Sequence, residues 1–337
     1  MAPDALRPRQ VAGNFVGREP ELDEGLGVLD DVLRGRGRVL LISGESGIGK
    51  SRIADELATS AKAKGFHVAW GRCWEAGGAP AYWPWAQSLR TIAGQLGNET
   101  VRASLGPSAG DMAQLLRDVD TGEPTASSES LDPDEARFRL FDATATFLRK
   151  AAATVPLMLV IDDLQAADMP SLVLLRFVAG ALTDERILVV GTYREAEVAA
   201  GPALAATFAD LAREPSVRRL TLLGLGKDDV QRFIEAAAGF APPAELVDTV
   251  HDQTEGNPLF VQEVTRLLIE EGRLKRDSSA LGAGGDASQR ARRDRTPPAA
   301  PVRVEPEHAR ARLGARTRVR PGGAGAARRA ARGTSGP

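Results

Sequence analysis

The chain has 337 residues, 43% of them hydrophobic, enough for one large or two ordinary domains with a sizeable core. Its single cysteine, Cys73, excludes an intramolecular disulfide and fits a reducing cytoplasm, and His67, His251 and His308 lie too far apart to give a metal-ligand spacing. The formal net charge of −2 hides two unlike parts: residues 277–337 hold 13 Arg, no Lys and 5 acidic residues, leaving 30 basic and 40 acidic residues in 1–276. An acidic body argues against a domain that grips nucleic acid directly.

Residues 1–14 have no apolar signal-peptide core and are expected to form a leader. The longest clear apolar run, VPLMLVI at 155–161, falls far short of the ~20 residues of a membrane-spanning helix, so no membrane partner is expected. RVLLIS (38–43) is uniformly apolar over four residues, as a strand buried on both faces requires. A helix is expected over 50–64, a second strand over HVAWGRCW (67–74), and then an aromatic patch, AYWPWAQSL, that enters a helix. The default reading of Trp70, Trp74, Tyr82, Trp83 and Trp85 is core packing. After a polar stretch at 120–133, Asp132-Pro133-Asp134-Glu135 has the form of a helix start, and Phe138, Phe141, Ala145 and Leu148 share one face of that helix. LMLVIDD (157–163) and ILVVGTYR (187–194) are further buried strands flanking a helix near 170–182.

Strands alternating with helices indicate an α/β fold with a parallel, doubly wound sheet. The core is expected over 15–222. Residues 223–275, with two or three short helices, form a small helical subdomain whose last helix opens at Asn257-Pro258 and closes before Gly272. Residues 276–337 form a tail expected to be disordered: 42 of the 61 residues from 277 onward are Arg, Ala, Gly or Pro, too few large apolar groups to offset ordering entropy. A basic nucleic-acid arm, a neutral linker end and an out-of-frame translation all fit its composition. The last is favoured, because those four residues have GC-rich codons.

Gly44-Glu45-Ser46-Gly47-Ile48-Gly49-Lys50-Ser51 fits G-x-x-x-x-G-K-[ST], between a buried strand and a helix. Such a P-loop turns its N–H groups inward on phosphate, the helix N-terminus adds positive potential, Lys50 reaches the β- and γ-phosphates, and Ser51 binds Mg²⁺. Asp162, at the end of a buried strand, is the second expected Mg²⁺ contact. Asp163 is the candidate to orient or deprotonate an attacking water, and Arg194 the candidate γ-phosphate sensor. No guanine-specific N-K-x-D occurs, which favours ATP.

FVGRE (15–19), GESGIGKSR, GRCWEAGGAPAYWPWAQ (71–87), DEARFRLFDA (134–143), LVIDDLQAAD, VVGTYRE and TEGNPLFVQEV (254–264) occur in that order. The ordered set resembles the AAA-like, signal-transducing (STAND-type) ATPase module of large bacterial regulators, including LuxR-type transcription activators and cyclase-linked proteins, over roughly residues 13–275. The resemblance implies that Phe15–Glu19, with Gly17 and Arg18, lies against the adenine, that Gly44–Ser51 and Asp162-Asp163 are Walker A and B, and that Pro258 touches the adenine side. It implies an ATP-driven switch with slow Mg²⁺-dependent hydrolysis, an inducer or protein partner, nucleotide-dependent self-association, and nucleic acid reached only through an output domain missing here. Ala166 departs from the family's usual Trp. The alternatives are an origin-binding or loader-like ATPase acting on DNA, and a small-molecule kinase.

Overall fold

The computed structural model describes residues 15–75, 78–116 and 132–274. The expectations for the leader, for most of the polar stretch at 120–133 and for the tail fall outside them. The elements run α1 (Glu19–Leu33), β1 (Arg38–Ser43), α2 (Lys50–Ala63), β2 (His67–Arg72), α3 (Trp83–Leu96), α4 (Asn98–Leu105), α5 (Ala109–Met112), α6 (Pro133–Thr154), β3 (Leu157–Asp162), α7 (Met169–Ala181), β4 (Ile187–Tyr193), α8 (Glu195–Ala200), α9 (Pro202–Leu211), β5 (Val217–Thr221), α10 (Lys227–Ala238), α11 (Ala244–Thr254) and α12 (Pro258–Glu270).

The five strands form one parallel sheet in the order β2-β3-β4-β1-β5. Every residue of β3 and β4 is buried, as is all of β1 except Arg38, because helices cover both faces. Side chains alternate between two cores. Leu41, Leu159 and Val189 join residues of α3, α6 and α7 on one face, while Leu40, Val160 and Val190 meet Leu29 of α1 and Ile53 and Leu57 of α2 on the other.

The helix starts follow their caps. Asp132 accepts a hydrogen bond from the Asp134 N–H at 3.0 Å with Pro133 as the first residue of α6. Asn257 does the same for α12 through the Leu259 N–H at 3.2 Å. The three helices α10–α12 pack around Val230, Ile234, Val247, Val250 and Val261, a small core of their own.

The structure corrects some expectations. The second strand ends at Arg72, not residue 74, and Trp74 is 54% exposed rather than in the core, while Trp85 is fully buried with its Nε1–H donated to the Ser171 carbonyl. Phe141, Ala145 and Leu148 are buried, but Phe138 is 62% exposed. It sits one turn into α6, beyond the rim of the core, and meets Phe177 edge-on at 6.0 Å. Strand β5 and helix α1 have no counterpart among the expected elements.

Candidate nucleotide site

In a parallel sheet all strands end on the same edge, and ligands bind outside those carboxyl ends. Here that edge carries the loop after Ser43, together with Arg72, Asp162 and Tyr193. The loop Gly44–Gly49 leads directly into the N-terminus of α2. Gly44, Gly47 and Gly49 all have positive φ, of 150°, 79° and 105°. A Cβ on Gly47 would stand 2.8 Å from Cβ of Leu259, and one on Gly44 would stand 2.8 Å from both Ile48 Cγ2 and the Leu222 carbonyl, so both positions exclude a side chain on conformation and on space. Ile48 anchors the loop in the core, whereas the side chains of Glu45 and Ser46 are exposed.

Lys50 is buried, and its ammonium donates to the Gly44 carbonyl at 3.1 Å and the Glu45 carbonyl at 2.8 Å. Desolvation is the main cause that lowers its pKa. The nearby Arg194 charge adds to it, and Asp163 and Asp162 oppose it. An anionic ligand would favour that charge.

Asp162 is 1% exposed and fully engaged. Its Oδ1 accepts from Ser51 Oγ at 3.0 Å and from Thr192 Oγ1 at 2.6 Å, and its Oδ2 accepts from Arg72 Nη2 at 3.0 Å. Ser51 and Asp162, read 111 residues apart as a Mg²⁺ pair, are therefore in contact. A hydroxyl and a carboxylate are hard oxygen donors and suit Mg²⁺, whose remaining ligands would come from phosphate and water. Asp163 follows in a left-handed conformation at φ 63°. Its N–H donates to Thr192 Oγ1 at 2.9 Å, and its carboxylate accepts from Gln165 Nε2 at 3.0 Å.

Arg194 stands at the rim. Its Nη1 donates to Glu197 at 2.7 Å and its Nη2 to Glu75 at 3.2 Å, and the Glu197 hydrogen bond is the main cause that raises its pKa. The guanidinium is held by two glutamates rather than on the loop or on Asp162.

Gly17 and Arg18 both adopt positive φ before α1. The Arg18 guanidinium is buried, donating to the Ile48 carbonyl at 3.3 Å, to the Leu223 carbonyl and to Glu21 at 2.8 Å. It braces the phosphate loop against the segment that leads into α10.

Pro258 is the first residue of α12, and the turn before it reaches the loop tip: Asn257 Nδ2 donates to the Ser46 carbonyl at 2.9 Å, while Leu259 packs on Gly47. The sequence reading missed Arg72, Gln165 and Asn257 as site residues. Only Asn257 had a local signal, and that signal reads equally as a cap.

A family model described as an AAA ATPase domain matches residues 14–190, more than half of the chain and the whole span from the loop to β4. The chain belongs to the AAA ATPase domain family. It is thereby an AAA-type ATPase domain in a nucleotide-binding family, built on an α/β P-loop fold. Residues 237–274 match a domain family of unknown function, DUF8739. The protein R02095 of Rhizobium meliloti (strain 1021) is 27% identical over 281 residues, covering 77% of this AAA ATPase chain and 26% of that protein. The chain thus spans about a quarter of the length of this relative.

Solved structures similar to this AAA ATPase chain include a STAND protein with a tetratricopeptide repeat sensor from Pyrococcus horikoshii. It is 16% identical, with 78% of this chain and 32% of that one covered and a TM-score of 0.43. A Walker-type ATPase of Pyrococcus abyssi is 14% identical, with 80% and 72% covered and a TM-score of 0.46. The Orc1 protein of Aeropyrum pernix, solved in complex with DNA, is 15% identical, with 80% and 64% covered and a TM-score of 0.42. Among the described residues no helix is long and apolar enough to cross a membrane.

Proposed function

We propose that this AAA ATPase domain is an ATP-dependent switch, the nucleotide-responsive part of a transcriptional regulator of the STAND type, with slow Mg²⁺-dependent hydrolysis. The observation that carries the reading is the contact of Asn257 and Leu259 with the tip of the phosphate loop. It ties the helices α10–α12 to the segment that a phosphate would order.

In this reading the N–H groups of Gly44–Gly49 and Lys50 hold the β- and γ-phosphates, and Ser51 and Asp162 would hold Mg²⁺. Bound Mg²⁺ would neutralise charge developing on the phosphate oxygens. Thr192 fixes the Asp162 carboxylate, and Gln165 fixes that of Asp163, the group proposed to orient the attacking water. Gly17 and Pro258 line the adenine side. Arg194 can reach a terminal phosphate only by leaving Glu75 and Glu197. An inducer or protein partner and a downstream output domain complete the regulator. The acidic balance of residues 1–276 supports this over direct action on DNA.

Amide hydrogen exchange tests the coupling. With Mg²⁺ present, a non-hydrolysable ATP analogue is expected to change exchange at residues 254–262 relative to ADP. Asn257→Ala, which removes both the loop contact and the cap, is expected to abolish that difference and to cost about 1–2 kcal/mol of stability. Identical exchange at 254–262 with both nucleotides in the parent protein would contradict the switch.

A further inference from the structure

The charge that neutralises the buried Asp162 is neither Lys50, whose hydrogen bonds go to loop carbonyls, nor Arg194, which is held by glutamates. It is Arg72, at the end of β2. Arg72 and Asp162 are register partners across β2 and β3, so the pairing follows from how the two strands align. The strand end is also clamped. The Arg72 N–H donates to Gln87 Oε1 at 3.3 Å, the Arg72 carbonyl accepts from Gln87 Nε2 at 3.2 Å, and the Cys73 N–H donates to the Asp162 carbonyl at 3.0 Å.

The contact is one-sided. Asp162 is 1% exposed, but the Arg72 side chain is 53% exposed. Only Nη2 meets the carboxylate, and among the described residues Nε and Nη1 have no partner. Across the same carboxylate lies Ser51. An arginine fork with Nη2 on this acid, and with Nε and Nη1 without a partner among the described residues, has N–H groups left to offer a phosphate group.

We propose that Arg72 contacts the terminal phosphate of a bound nucleoside triphosphate while staying on Asp162, and so distinguishes triphosphate from diphosphate. This rests on the reading of the crevice as an ATP site. It gives the discriminating contact to β2 rather than to Arg194 after β4. Because the proposed contact falls on the third phosphate alone, removing Arg72 should leave diphosphate binding nearly untouched.

Isothermal titration calorimetry of the full chain with Mg²⁺ and either ADP or AMP-PNP tests this. Arg72→Ala is expected to weaken AMP-PNP by about tenfold or more, as for a lost hydrogen bond to a charged group, with ADP changed by less than about twofold. Arg72→Lys should recover part of the loss. A preference unchanged in Arg72→Ala would overturn the proposal. So would equal weakening of both nucleotides in Arg72→Ala, Arg72→Gln and Arg72→Lys, which would make Arg72 a structural support. A parent protein that binds neither nucleotide would overturn the ATP reading itself, and is told apart because it appears before any substitution.

Discussion

Lys50→Ala should lose nucleotide affinity by roughly 2–5 kcal/mol, about 30-fold or more in Kd, while its melting temperature stays within a few degrees of the parent. The two effects separate because of where the ammonium sits. It is buried against loop carbonyls, and desolvation and Arg194 both act against its charge. Two hydrogen bonds to carbonyls of a partly open loop are a modest gain, since water can replace them. A charge kept under those conditions is kept for an anionic ligand. Calorimetry with Mg-ATP and a thermal melt on the same preparation check both halves. Undiminished affinity in Lys50→Ala would place the nucleotide elsewhere.

Arg18→Ala is expected to act the other way round, on the fold first. The side chain is 7% exposed, and its fork joins Ile48 in the loop, Leu223 beyond β5 and Glu21 in α1. Truncation leaves those acceptors without their donor. The cost should be roughly 3 kcal/mol, at the low end for a broken buried pair because Glu21 is 22% exposed and can rehydrate. That corresponds to a melting temperature lower by about 6–12 °C. Arg18→Lys should not rescue it, because an ammonium cannot reproduce the planar fork. Circular dichroism melts decide this. An unchanged melting temperature with weakened ATP binding would mean that Arg18 serves the nucleotide, as the family resemblance implies, rather than the brace.

The contrast between these two residues shows where the sequence was legible. The loop 44–51 could be read because its chemistry is local: glycines supply the turn, and Lys50 and Ser51 begin the helix that the turn feeds. The strands β1, β3 and β4 could be read because burial on both faces leaves a plain apolar run. Strand β5 could not. It is a five-residue edge strand, paired among the described residues with β1 alone, whose central Arg218 and Arg219 are exposed, so its sequence VRRLT carries no such run. Phe138 kept the right helix face but lies too close to the start of α6 to reach the core.

At the site, Ser51 and Asp162 follow from their own motifs, but the Arg72 contact depends on the β2–β3 register and one of the two Arg194 ion pairs depends on Glu75 in a distant loop. The Arg18 brace needs Leu223, 205 residues away. Contacts of that range are set by how the layers assemble, which no window of sequence encodes.

As the proposed switch, the site would bind Mg-ATP to hold a state rather than to turn over. Phosphate release by the purified chain at saturating Mg-ATP, followed under single- and multiple-turnover conditions without any partner, tests it most directly. A switch should show tight binding and steady hydrolysis well below the enzyme median of about 10 s⁻¹, lost in Asp162→Ala. Rapid multiple turnover by the isolated chain would contradict it.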